Sequence, residues 1–186
     1  GDNVVDFADV SLMGAHYGIS GAAVTSAGVG YLDIGPTVDR TSRARPATDG
    51  RIDFEDLIVL VTNYSGFAAP ASLTAAADAM ARAADGPERV ELDAPAHITA
   101  GQTFRVTLRM RGAGRVQGLS AQLGWDPVMA EPVSVEGSGW IKDQQGVVFS
   151  AAPGGVDAAL LGTRDHGFMG SGDIATVTFR ALRTGD

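Results

Sequence analysis

The stretch Val5-Asp6-Phe7-Ala8-Asp9-Val10 returns later in the chain as Ile52-Asp53-Phe54-Glu55-Asp56-Leu57, at an offset of 47 residues. The repeat extends beyond these residues, because Tyr17 aligns with Tyr64 at the same offset. In each copy the aspartates come first and apolar residues at helical spacing follow. The pattern predicts an acidic loop leading into a helix, duplicated within one chain.

The second copy has its carboxylates at the spacing of the second half of a twelve-residue calcium loop. If Asp49 is the fifth loop position, Gly50 is the sixth, where a sharp turn needs glycine. Arg51 then offers a backbone carbonyl at the seventh position. Asp53 reaches the ion directly or through water, and Asp56 closes the loop. The spacing therefore predicts a calcium site, with the last ligand in the first turn of the following helix.

The first copy has the equivalent residues Asp2, Val4, Asp6 and Asp9, but the sequence begins at Gly1 and lacks the opening positions of this loop. The second copy has Arg45 and Ala47 where a regular loop would place ligands. An enlarged loop resolves this if Asp33 is the first ligand and residues 37–48 bulge outward. In the alternative interpretation, the aspartates only cap helices and turns, without a metal.

Residues 1–66 resemble a dockerin, the two-calcium module of cellulosome-type systems, in which two EF-hand-like loop and helix units follow one another. The matching segments are 2–10 and 49–57. The resemblance implies a small all-α calcium-binding module whose partner is a cohesin. We expect calcium at the second loop more than at the shortened first loop.

Residues 67–89 are rich in alanine, and we predict a linker helix over 73–84 with Ser72 as its N-cap. From residue 90 to residue 186 the chain contains short apolar or alternating runs separated by Gly and Pro, which predict an all-β sandwich. The predicted strands are 90–92, 103–110, 119–125, 133–136, 147–151, 158–161 and 174–182. Alternation in the second of these predicts apolar residues facing inward and arginines facing outward.

Residues 88–186 resemble a cohesin, the β-sandwich of jelly-roll type to which dockerins bind. The segments that carry the likeness are 95–104, 117–127 and 170–179. The family continues into one further strand, so we expect this sandwich to lack its last strand and to expose an edge. We expect Trp125 to anchor the core; the alternative is a carbohydrate platform with Trp140.

The net charge of −8, from 22 acidic and 14 basic residues, argues against nucleic acid and anionic membranes as partners. The chain contains no cysteine, which suits a calcium-stabilised extracellular module. Its histidines, His16, His97 and His166, are scattered, and no nucleophile neighbours them in sequence. We therefore predict a protein without catalytic activity. Because the sequence starts inside a motif, we expect a processed product or a fragment.

Both halves of an adhesive pair occur on one chain, which predicts an extracellular, secreted or cell-surface assembly protein. If the helices of one copy dock on the sandwich of the next, head-to-tail filaments form. Docking within one chain would instead occupy the contact surface. The alternative is a scaffold or adhesion fragment of a larger cellulosome-like or cell-surface protein, which binds other cohesin-bearing or dockerin-bearing proteins. A carbohydrate-binding module or an enzyme ranks third.

Overall fold

A computed structural model describes residues 2–41, 44–66, 87–162 and 167–185. The predicted linker helix over 73–84 and His166 lie outside the described residues. None of the helices in the described ranges is long and apolar enough to cross a lipid bilayer.

The N-terminal part of the chain is helical. It contains helix α1 (Phe7–His16), the short helix α2 (Ala22–Ser26), a 3-10 turn at Gly30–Leu32 and helix α3 (Phe54–Thr62). We call residues 2–66, as far as they are described, the helical unit. Its core consists of buried apolar residues from all of these elements, as the repeated apolar spacing predicts: Val10, Met13, Val24, Val29, Leu32, Ile52, Leu57, Leu60 and Val61.

Seven strands and one short helix make up the rest of the described chain. They are β1 (Arg89–Asp93), β2 (Thr103–Ala113), β3 (Gly118–Gln122), β4 (Ala130–Gly137), α4 (Gly139–Asp143), β5 (Gly146–Phe149), β6 (Gly155–Leu160) and β7 (Met169–Ala181). One antiparallel sheet has the order β1-β2-β7-β4 and the other has the order β3-β6-β5. All seven predicted strands are confirmed, whereas α4 and the first residues of β7 were not predicted.

The two sheets form a sandwich around one shared core. Strand β2 contributes Val106, Leu108 and Met110 to this core, while Arg105 and Arg109 are exposed, so the predicted alternation is confirmed. Trp125 packs against the same core, with its ring edge-on to Phe179 at a centroid distance of 5.6 Å. The predicted role of Trp125 as a core anchor is therefore confirmed.

Strand β6 is buried along its entire length, on both faces of its sheet. Its residues Val156, Ala158 and Leu160 belong to the sandwich core, whereas Ala159 belongs to the core of the helical unit. A strand covered on both faces has no polar side to alternate with its apolar side. The helical unit therefore forms a third layer, packed on the outer face of the β3-β6-β5 sheet.

Candidate docking site between the helices and the sandwich

The two aspartate loops adopt the same turn. In each copy the first aspartate, Asp2 or Asp49, accepts the backbone N–H of the residue two positions further on, at 3.0 and 2.9 Å. The next residues, Asn3 and Gly50, have φ angles of +67° and +79°. Glycine and asparagine are the residues that tolerate this left-handed conformation best. The duplication read from the sequence is therefore also a duplication of structure.

Both repeated helices begin with the same pair of carboxylates. Asp6 and Asp53 are the N-caps, and each accepts the N–H two residues on, at 2.7 and 3.2 Å. Asp9 and Asp56 accept the N–H of their own N-cap residue, at 3.0 and 2.8 Å, which completes a capping box in each copy. The capping role that the sequence left open is thus present in both copies.

The two copies also bond to each other reciprocally. The N–H of Gly18 donates to the carbonyl of Ile52 at 2.8 Å, and the N–H of Ser65 donates to the carbonyl of Val5 at 2.8 Å. Residues 18 and 65, like 5 and 52, are related by the offset of 47. The helical unit therefore has an approximate internal twofold relation, which explains how two short loop and helix segments close on one core.

Within the described ranges, a further carboxylate is hydrogen-bonded to the second loop and none to the first. Asp33 is buried, and its two oxygens accept the N–H groups of Asp49 and Gly50 at 3.2 and 2.9 Å. The intervening chain forms a separate excursion, which is closed by a hydrogen bond of 2.8 Å from the N–H of Ala47 to the carbonyl of Pro36. Asp33 therefore lies against Asp49 and Gly50, as the enlarged loop requires, and its role as first ligand stays a prediction.

Asp56 holds the enlarged loop to helix α3. Its side chain is 1% exposed; Oδ1 accepts the N–H groups of Ile34 and Gly35, both at 2.7 Å, while Oδ2 accepts that of Asp53. The loop passes so close that a Cβ on Gly35 would lie 2.4 Å from the carbonyl carbon of Glu55. Burial raises the pKa of the Asp56 carboxyl to about 6, although the hydrogen bonds from three backbone N–H groups favour its charged form.

The aspartates of both loops provide the hard oxygen ligands that calcium prefers. Among the described residues, no three acidic, histidine or cysteine side chains are grouped closely enough to hold a metal ion. Each predicted carboxylate ligand instead accepts hydrogen bonds from backbone N–H groups. These carboxylates are Asp2, Asp6, Asp9, Asp33, Asp49, Asp53 and Asp56. Calcium binding stays a prediction for both loops, including the carbonyls of Val4 and Arg51.

Helix α3 and the end of α1 dock on the sandwich where glycines leave room for larger side chains. A Cβ on Gly118 of β3 would lie 2.4 Å from Cδ1 of Ile58 and 3.3 Å from Cζ of Phe54. On the helical side, a Cβ on Gly14 would lie 2.8 Å from the ring of Phe149 in β5. Each side of the contact thus receives an apolar side chain from the other side.

The repeated phenylalanine is docked in the second copy and exposed in the first. Phe54 packs in the contact, whereas its equivalent Phe7 is 62% exposed. Partly buried apolar residues of the sandwich, Val147, Phe149 and Leu161, pack on the core of the helical unit. Part of the apolar surface of the helical unit is therefore covered at this face by the chain's own sandwich.

A buried polar bond lies in the middle of the contact. The hydroxyl of Tyr17 donates to Oδ2 of Asp157 on β6 at 3.1 Å, and Asp157 is 5% exposed. Burial raises the pKa of Asp157, and hydrogen bonds from Ser120 and Tyr17 oppose the shift. Burial and the neighbouring Asp157 charge also raise the pKa of Tyr17, so its hydroxyl stays a donor. An acidic cavity of about 290 Å³ opens beside this bond, with Asp53, Glu55 and Asp157 in its lining.

Sequence reasoning did not predict the Tyr17 and Asp157 pair. Asp157 stands alone in the otherwise apolar or glycine run of β6, from Gly155 to Leu160. A carboxylate in a buried strand needs a polar partner, so this break in the run was the available signal. The partner itself lies 140 residues away in the chain and no local pattern identifies it.

No protein-family model matches the chain, and no curated protein matches it either. Among solved structures, the chain is similar to one from a type II cohesin and X-dockerin complex of Acetivibrio cellulolyticus, crystallised as an N-terminal interface mutant. The two are 13% identical, the match covers 52% of this chain and 72% of that one, and the TM-score is 0.38. We therefore base the proposed function on contacts within this chain.

Proposed function

We propose that this protein is a non-catalytic, extracellular assembly protein that associates head to tail, with the helical unit of one copy docked on the β3-β6-β5 face of the next. The observation that carries the proposal is the contact itself. Ile58 enters the space above Gly118, the ring of Phe149 enters the space above Gly14, and Tyr17 bonds Asp157. Such complementarity is typical of a specific protein interface.

The same contact can form within a chain or between chains, because residues 67–86 join its two sides. A short linker gives an intrachain contact an effective concentration of about millimolar, so dilute protein closes on itself. At higher local concentration, for example on a cell surface, exchange of the helical unit between copies links them. Since the two contacting surfaces differ, exchange generates chains or rings.

We propose calcium as a ligand of the second loop, where Asp33 adds a fourth carboxylate to Asp49, Asp53 and Asp56. Its contribution would be to hold the loop and therefore the orientation of α3 toward the sandwich. Hard oxygen ligands and the duplicated loop spacing support this assignment.

The alternative function is a scaffold or adhesion fragment that stays closed and binds other proteins, of the cohesin or dockerin kind, through its outer surfaces. The exposed Phe7, equivalent by the repeat to the docked Phe54, favours this alternative, because it leaves an aromatic ring uncovered on the helical unit.

Two variants of the full-length chain test the exchange directly. Ile58→Glu damages the helical side of the contact and leaves the sandwich face intact, whereas Gly118→Val fills that face and leaves the helices intact. Neither variant alone can form the contact, within or between chains. Mixed together, the helical unit of the Gly118→Val chain can dock on the face of the Ile58→Glu chain. We expect a 1:1 complex in sedimentation velocity, in an amount greater than any self-association of each variant alone.

The matched control is Gly124→Ala, because a Cβ there meets no atom within 4 Å. Gly124→Ala should behave as the parent protein does. Mixed with Ile58→Glu, it should form no more complex than the parent protein forms with Ile58→Glu. Far-ultraviolet circular dichroism verifies that each variant keeps its helices. If the mixture of the two damaged variants at near-millimolar concentration sediments as the two variants do separately, head-to-tail assembly is refuted and the closed scaffold fragment is favoured.

A further inference from the structure

Strand β1 is an open edge of the four-stranded sheet. Within the described part of the chain it pairs with β2 alone, over Arg89 to Asp93. All five of its residues are exposed, and Val90 and Leu92 are 43% and 58% exposed although both are apolar. Unpaired backbone groups along such an edge are a template for a further strand.

The other sheet edges in the described ranges have recognisable protection. Strand β4 contains Pro132 and a register shift before Ser134, and both features discourage pairing. Strand β3 lies beneath Phe54 and Ile58 of helix α3 at Gly118. Strand β5 packs beside helix α4 and β4. In contrast, β1 has no proline, and its register with β2 has no shift.

One face of β1 is apolar and continues the core side of its sheet. Val90 lies opposite Met110 and Leu92 lies opposite Leu108, and both partners on β2 are buried. Side chains opposite each other on antiparallel strands share a face. Val90 and Leu92 therefore point toward the sandwich interior but lie beyond the cover of the second sheet.

The other face of β1 has one positive and two negative side chains, Arg89, Glu91 and Asp93. An antiparallel pairing of two such strands, centred on Glu91, places Arg89 opposite the partner's Asp93, twice by symmetry. On the apolar face the same register places Val90 opposite the partner's Leu92. Opposite charges and apolar pairs in facing positions both stabilise a sheet.

We propose that two copies of this protein pair through β1 about a twofold axis at Glu91, which joins their four-stranded sheets into one eight-stranded sheet. The partner is thus a second copy of the same chain, in an isologous contact. This contact is separate from the head-to-tail contact of the β3-β6-β5 face. It would join copies side by side, whether or not the helical units exchange.

The two facing Glu91 side chains are the unfavourable pair in this register. Each lies opposite Arg109 on its own β2 strand, so the row across the joined sheets contains two arginines around two glutamates. The present ion pairs of β1, Arg89 with Glu91 at 2.8 Å and Arg109 with Asp93 at 3.9 Å, join side chains that are more than half exposed. Exposed pairs of this kind contribute little and do not prevent rearrangement.

A contact of two five-residue strands is small, so we expect a weak, reversible dimer.

A charge exchange tests the register, in full-length chains that also contain Gly118→Val so that head-to-tail docking is absent. Arg89→Asp and Asp93→Arg each place like charges opposite each other at two points. We expect each single change to weaken dimerisation about tenfold or more in sedimentation equilibrium. Combining both changes restores opposite charges at both points and should return the dimer.

Arg105→Asp is the matched control, because it makes the same charge change on an exposed residue of the inner strand β2. It should leave the dimer unchanged. The proposal is overturned if the Gly118→Val protein stays monomeric up to about millimolar concentration, or if the double change is as weak as the single ones. Failure here leaves the mixing test of the head-to-tail contact unaffected, because that contact does not involve β1.

Discussion

Replacing Asp56 with alanine should destabilise the helical unit much more than replacing its repeat equivalent Asp9. Both carboxylates accept one N–H of an N-cap residue, so both variants lose a capping box. Asp56 also accepts the N–H groups of Ile34 and Gly35, and it is almost fully buried. The repeat therefore supplies a natural matched control for these two additional bonds.

The expected magnitudes follow from the number of donors that each change leaves without a partner. Loss of a cap costs about 0.5–2 kcal/mol, and this is the expected loss for Asp9→Ala. A buried donor left unsatisfied costs about 1–3 kcal/mol, and Asp56→Ala leaves two more of them. Relief of the buried carboxylate offsets part of this cost. We expect Asp56→Ala to lower the free energy of unfolding by about 2–4 kcal/mol more than Asp9→Ala does.

The assay is urea unfolding in the presence of a chelator, followed at 222 nm for the helices and by tryptophan fluorescence for the sandwich. Trp125 and Trp140, the two tryptophans of the chain, both pack against the sandwich core, so the two signals separate the two parts of the chain. The variant Asp56→Asn should lose less, because its carbonyl oxygen can still accept the amides of Ile34 and Gly35. Equal losses for Asp56→Ala and Asp9→Ala under chelation would refute the reasoning.

Two further predictions concern acid and calcium. Burial raises the pKa of Asp157 above its ordinary value of about 3.9. The docked state therefore binds more protons than the undocked state between these two pKa values. Docking should weaken as the pH rises from about 4 through the raised pKa. The measurement is the rate of limited proteolysis between the helical unit and the sandwich as a function of pH. Asp157→Asn should flatten this pH dependence, and an unchanged pH profile would contradict the role given to Asp157. Removal of calcium should lower the unfolding temperature of the helical unit and leave that of the sandwich in place; calorimetry showing the same transitions with and without chelator would exclude the calcium assignment.

Local sequence signals were sufficient where a residue's role depends on its immediate neighbours. The capping boxes at Asp6 and Asp53 span four residues, and the left-handed turn at Gly50 needs only the absence of a side chain. Alternation in β2 identified which side chains face the core, since the period of two is built into a strand. These features were therefore predictable without knowledge of the fold.

What only the tertiary structure decided is how distant segments meet. The sequence suggested Asp33 as a member of the second loop. However, Asp33 and Asp56 accept hydrogen bonds from backbone N–H groups that lie 16 to 22 residues away in the chain. The bond between Tyr17 and Asp157 depends on the docking of the helical unit, and the sequence left that docking open. Two equivalent positions of the repeat, Phe7 and Phe54, have different environments because Phe54 faces the sandwich and Phe7 is exposed. The repeat determined the local turns and caps, since these arise from short-range bonds. The third layer arises from shape complementarity between segments far apart in the chain, such as Ile58 with Gly118 and Gly14 with Phe149, which no local pattern encodes.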